Sequence, residues 1–227
     1  MKSFVIILKS TFKSLTINSS SLLKALFVPF TLIIIFDYYS HQEKELLRQV
    51  LGSMTSAIAY LYLAIITHRV IILGAESVPK YGLYKPTSRE LIFARHFIGL
   101  SLLLVPFFLI AALPFLQFEL FSLLIVTFVM YVISRVSIVF PAIACDINWS
   151  YTDAWYVTKN YKVLVVITVG LFPSILYACL ALINITFNHL LFSTILSALS
   201  TIITVSVLSS TYQYIEKIEK QTHRKNS

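Results

Sequence analysis

Residues 163–185 read VLVVITVGLFPSILYACLALINI, a run with no charged side chain. A hydrocarbon core about 30 Å thick is crossed by about 20 apolar helical residues, because backbone amides that lose water must pair within their own segment. This run is long enough to span. Working outward from it, comparable stretches lie near 22–39, 51–74, 92–116, 119–140 and 190–213. The chain therefore reads as an all-α polytopic integral membrane protein with six transmembrane helices.

Composition agrees. Of the 227 residues, 58% are hydrophobic and only 12% charged, and the mean hydropathy is +0.83. A water-soluble globule of this size needs more polar surface than that. The net charge of +8 is unevenly placed, and lysine and arginine mark the cytoplasmic ends of spans. Lys2, Lys9, Lys13 and Lys24 precede or begin the first span. Arg69, Lys80, Lys85, Arg89 and Arg95 cluster about the second gap, Arg135, Lys159 and Lys162 about the fourth, and Lys217, Lys220, Arg224 and Lys225 in the tail. The opposite side keeps Lys44 and Arg48, outweighed by Asp37, Glu43, Glu45 and Glu119. Both termini are expected on the cytoplasmic side of a bacterial inner membrane. The basic balance is then an asymmetry between leaflets, and nucleic acid is not an expected partner.

Within 1–18, Phe4, Leu8, Phe12 and Leu15 recur at helical spacing with lysines and serines between them, the pattern of an interfacial amphipathic helix. A second such helix is expected over 148–162, which holds both tryptophans, Trp149 and Trp155; Ser150 and Asp153 have the spacing of a capping box. Residues 214–227 form a basic tail. A third interfacial segment begins at Pro86 and runs into the third span. With Pro29, Pro106 and Pro173 each inside an outward span, these segments suggest a triple helical-hairpin repeat with kinked outward helices. The first span lacks a small-x-small cleavage pattern, so it is not expected to be removed as a signal peptide. Cys145 and Cys179 lie too far apart in the predicted topology to bridge.

The run from Arg135 through Pro141-Ala142-Ile143, an acidic residue, Asp153-Ala154-Trp155 and Thr158-Lys159-Asn160 resembles a pattern of bacterial six-span inner-membrane proteins, the glycerophosphodiester phosphodiesterase membrane-domain or YciC-like group. His68-Arg69-Val70, Leu73-Gly74-Ala75-Glu76, Arg89-Glu90-Leu91 and Phe93 are similar to a second stretch of that group. The resemblance covers about the middle half of the chain and implies a six-helix membrane domain. The soluble phosphodiesterase sometimes fused to such a domain has no counterpart here, so its activity does not carry over.

Signatures of chemistry fail on spacing. The chain has no His-Glu-x-x-His or Cys-x-x-Cys metal pattern, no Gly-x-Ser-x-Gly elbow and no glycine-rich phosphate loop. No catalytic residue, metal ligand or cofactor-binding residue is assigned, and no cofactor is expected. The one constellation is cationic: Arg69 with His68, Arg95 with His96, and Arg135, all at predicted inner span ends. Arginines there often only anchor a span by snorkelling or pairing, with Glu76, Asp146 or Asp153 as available partners. As a site, they would bind an anionic lipid headgroup or another phosphate.

The expected function is accordingly that of a non-enzymatic membrane protein in envelope maintenance, or an accessory or scaffold, with a basic face binding anionic lipid. Its partners would be membrane lipids, with a membrane protein or a second copy as further partners. Kinked hairpins leave a small transporter or permease subunit as an alternative. An embedded enzyme acting on a phosphorylated lipid is a third reading.

Overall fold

In the computed structural model, which describes residues 2–111, 119–187 and 189–226, the chain forms helices joined by short turns. They are α1 (Lys2–Ile17), α2 (Ser19–Ala25), α3 (Phe27–Gln42), α4 (Leu46–Leu73), α5 (Ser88–Ala111), α6 (Glu119–Val136), α7 (Val139–Ala144), α8 (Tyr151–Val157), α9 (Lys162–Val165), α10 (Phe172–Phe187) and α11 (Leu190–Asn226). Among the described residues there is no strand. Five helical segments are long and apolar enough to cross a membrane, and α2 with α3 makes a sixth if that bent pair counts as one. The protein is an all-α polytopic membrane protein. The expected end of the third span, 112–116, lies outside the described residues.

The first span is broken where the sequence reading had it continuous. α2 and α3 meet at 53° about Leu26. Pro29, in the first turn of α3, has no N–H to return to the Ala25 carbonyl and its ring crowds that turn. The freed carbonyl faces the turn Lys80–Gly82, where Gly82 sits at φ 65 and any Cβ would run into the Ala25 oxygen. Only glycine fits that approach.

The three prolines, expected to kink alike, sit differently. Pro106 lies inside continuous α5, whereas Pro173 follows a π-helical turn over Val166–Leu171 that links α9 to α10. Proline at 173 cannot bond the carbonyl of Val169, and widening to a π turn is one way to absorb that loss. Gly170 lies in the π turn against α6, where an added Cβ would be 2.5 Å from Ser134 Oγ.

Two apolar cores share α4 and α11. Leu22, Ile33, Leu63, Ile66, Val70 and Ala198 form one about the broken span. The other gathers Ile65, Phe93, Ile138, Val139, Phe140, Ala154, Val165, Leu208 and Ile215 about α7 and α8. α11 is 37 residues long, about 55 Å at 1.5 Å per residue, so it outruns a bilayer core. Its Thr194, Ser200, Ser206, Ser209 and Thr211 are buried. Several of these small hydroxyls return their proton to the carbonyl four residues back, as Ser206, Ser209 and Thr211 do. That lets a polar residue pack closely in an apolar setting. Lipid-facing character shows in exposed Leu91, Leu102, Leu123, Val163, Leu182 and Ile185.

Candidate functional site

One end of the bundle collects most of the cations. Tyr214 donates to Ser3 Oγ at 2.9 Å, joining the tail of α11 to α1, and Tyr161 donates to Glu219 Oε1 at 3.0 Å. Gln213 reaches the carbonyls of Ile71 and Ile72 at the end of α4. The N-terminal helix, residues 74–89, residues 145–162 and the tail therefore meet at one end. Glu43 and Glu45, which both pair with Arg48, lie with it at the other end of α4.

At the cationic end two guanidinium groups close on one carboxylate. Arg69, in the last turns of α4, donates through Nη1 to Asp146 Oδ2 at 2.7 Å and to the Ala144 carbonyl at 2.9 Å, and through Nε to the Ser77 carbonyl at 3.1 Å. Arg89, at the start of α5, donates to Asp146 Oδ1 at 3.0 Å and to Glu90 Oε1 at 2.8 Å. Glu90 Oε2 accepts from the Thr87 amide and hydroxyl, each at 2.6 Å, half of a capping box that starts α5. Asp146 takes a left-handed backbone, φ 65, which Asp tolerates better than most residues. Partial burial alone would raise its carboxyl, but hydrogen bonding from Arg69 and the charge of Arg89 hold it below the usual carboxylate range. With Glu90 included, two cations meet two anions. Asp146 occupies the place between the arginines that a phosphate would otherwise take.

Arg135 is buried, 2% exposed, and makes no ion pair among the described residues. Its charge is met by other means. Nε donates to Thr158 Oγ1 at 3.0 Å, Nη1 to the Tyr131 hydroxyl at 3.0 Å, and Nη2 to the Trp155 carbonyl. The guanidinium lies over the Trp155 ring, 3.6 Å from its centroid, with Tyr131 at 5.5 Å. Such cation–π contact is strongest away from water. α8 itself is built as its spacing predicts: Ser150 and Asp153 form the capping box, and that hydrogen bonding holds the Asp153 carboxyl below its usual range.

His68, 1% exposed, points its Nδ1 at Ser209 Oγ, 2.8 Å away. His96 bonds the Ile92 carbonyl at 2.8 Å and meets the Tyr151 ring edge-on at 5.0 Å. Arg95 is exposed. The five residues singled out from sequence thus do not share a pocket: Arg69 belongs to the Asp146 cluster, Arg135 to α8, His68 to the interior between α4 and α11, and His96 to a local ring contact. Arg89 joins Arg69 at Asp146, a role the cation count alone does not assign. The available signal was the adjacent Arg89-Glu90 pair at a predicted helix start. The two cysteines are free, and burial pushes the Cys145 thiol up to about 11. Among the described residues no group of His, Cys, Asp or Glu is placed to hold a metal ion. Compared with family profiles, with curated proteins and with solved structures, the chain matches none.

Proposed function

We propose that the protein is a non-enzymatic multi-pass protein of a bacterial inner membrane, with both termini cytoplasmic, whose cationic end holds anionic lipid in an envelope-maintenance or accessory role. The observation that carries the reading is how charge is spent at that end. Most of its acids are already bonded within the chain, Asp146 and Glu90 to the arginines, Asp153 to the α8 cap, Glu216 to Lys220 and Glu219 to Tyr161. Glu76 is exposed and makes no ion pair among the described residues. The lysines are left outside. Lys2, Lys9, Lys13, Lys85, Lys159 and Lys162 are exposed and, among the described residues, make no ion pair.

α1 presents this surface in the form a membrane interface favours. Ile7 and Thr11 are buried, and Phe4, Leu8 and Leu15 are half-buried beside them. The outer face mixes Lys2, Lys9 and Lys13 with exposed Val5, Ile6, Phe12 and Ile17. Phe12, grouped by its spacing with Phe4, Leu8 and Leu15, lies on this outer face. A helix with lysines interleaved among apolar side chains binds anionic headgroups and acyl boundary together, at about 1 kcal/mol per cation near a charged leaflet.

The test is lipid retention. Protein released from nanodiscs of mixed phosphatidylglycerol and phosphatidylethanolamine should keep phosphatidylglycerol preferentially in native mass spectra. The triple variant Lys2→Glu, Lys9→Glu, Lys13→Glu should lose most of the preference. Equal retention of the two lipids by the unaltered protein would end the proposal.

A further inference from the structure

Between α4, α5, α7, α10 and α11 lies a cavity of about 440 Å³ whose lining includes the rings of Tyr60, His68, Phe93, Phe97, Phe140 and Tyr177. This is within the size range of small-molecule sites. Phe97 and Tyr177 are exposed at the perimeter of the bundle, so the cavity is reached from the side, through surface that lies against lipid. Along α4 it extends from Ala57 to His68, about 17 Å at 1.5 Å per residue. His68 is five residues short of the helix end at Leu73, so the cavity lies within the span.

Beside the hydroxyls of Tyr60, Tyr177 and Thr201, the wall carries the His68 imidazole, whose bonding is incomplete. Ser209 Oγ donates its one proton to the Val205 carbonyl at 2.8 Å, the usual bond of a helical serine to the preceding turn. With that proton on the carbonyl, the contact with His68 Nδ1 at 2.8 Å is one in which the oxygen accepts and Nδ1–H donates. The tautomer is assigned from this network. A buried imidazole with no carboxylate in contact favours the neutral form, in which the second nitrogen carries a lone pair and no hydrogen. Nε2 is then an acceptor, and among the described residues nothing donates to it. A donor entering the cavity would supply the bond that the protein does not. The surrounding rings favour an aromatic body, packed edge-to-face or offset.

We infer that the cavity between α4, α5, α7, α10 and α11 binds a lipid-soluble phenol, its ring among Phe93, Phe97, Phe140 and Tyr177 and its hydroxyl donating to His68 Nε2. This site is separate from the lysine surface of α1 and does not depend on it. The direction of the hydrogen bond sets the specificity: a hydroxyl is taken, and the same ring carrying an ether oxygen is not.

The experiment is nitrogen NMR on protein labelled with ¹⁵N-histidine in nanodiscs, with the His68 signals assigned by loss in His68→Gln. The probes are 2-naphthol and 2-methoxynaphthalene, alike except for the donor. The expected result is an unprotonated Nε2 that moves upfield, saturably, with 2-naphthol, moves little with the ether, and leaves His96 unmoved. Ala64→Phe, which fills the cavity, should abolish the response. The proposal is overturned if Nε2 already carries a proton, if neither probe shifts it, or if the ether shifts it as the phenol does. The comparison of the two probes on unaltered protein stands even if the filled variant fails to fold.

Discussion

The guanidinium of Arg135 rests 3.6 Å from the centroid of the Trp155 ring and donates to the carbonyl of the same residue. A charge near the end of a span is thereby stabilised by a ring and neutral acceptors from the following short helix. α8 is in turn held against α6 by the contact that neutralises it. Replacing Arg135 by Lys keeps the charge and loses the planar stack and the fork of donors. Loss of a desolvated cation–π contact and of hydrogen bonds to a charged group predicts a destabilisation of about 2–4 kcal/mol. Thermal unfolding of Arg135→Lys in nanodiscs would show it as a lowered midpoint; an unchanged midpoint would mean that the stack contributes nothing.

Asp146 should act as a pH-dependent latch. Its carboxyl lies below the usual range in the folded protein, so its stabilising contribution is fully present above the ordinary value of about 3.9 and is lost as pH falls through the depressed one. The side chain is 56% exposed, which weakens the pair through solvent screening. Asp146→Asn should lower the unfolding midpoint at neutral pH, and the gap to the unaltered protein should close below about pH 4. A gap that is constant with pH would remove charge from the explanation.

Gly82 and Gly170 are tight for different reasons. Gly82→Ala places a Cβ against the Ala25 oxygen at a positive φ, and Gly170→Ala places one 2.5 Å from Ser134 Oγ. Left-handed strain costs about 1–2 kcal/mol and overpacking about 1–3 kcal/mol. Gly74, at φ 93 and ψ 173, lies in a region that essentially only glycine adopts, at about 1–3 kcal/mol for other residues, but nothing lies within 4 Å of its Cβ position. Gly82→Ala alone combines backbone strain with a clash, so unfolding midpoints of the three variants should place it furthest from the unaltered protein.

The apolar runs were legible in the sequence because period and length alone decide whether a helix can span. Ser150 and Asp153 were legible for a local reason, since a capping box is read within four residues. What stayed hidden depends on contacts far apart in the chain. Arg69 meets Asp146 across 77 positions and Arg135 meets Trp155 across 20; cation counting sees the charges but not the partners that occupy them. The break at Leu26 was missed because Pro29 read as a mid-span kink, whereas it falls in the first turn of a new helix. The cavity beside His68 needs five helices to form its walls, and no single segment announces it.

Exposed cations on α1 predict a salt dependence. Retention of phosphatidylglycerol should fall as ionic strength rises, since surface charge is screened within about 10 Å at 0.1 M salt. The Arg69–Asp146–Arg89 cluster is internally paired, so Asp146→Asn should leave that retention nearly unchanged. Native mass spectra at low and high salt separate the two sets of charges, and a loss of lipid in Asp146→Asn equal to that in the lysine variant would refute the division.

The arrangement as a whole rests on which side of the membrane the cationic end faces. Single cysteines at Lys44, Lys85 and Lys217, in a background with Cys145 and Cys179 changed to Ser, can be challenged with a membrane-impermeant maleimide on spheroplasts. Lys44→Cys should be labelled on intact spheroplasts, and Lys85→Cys and Lys217→Cys only after permeabilisation. Labelling of either of the latter two from outside would contradict the arrangement.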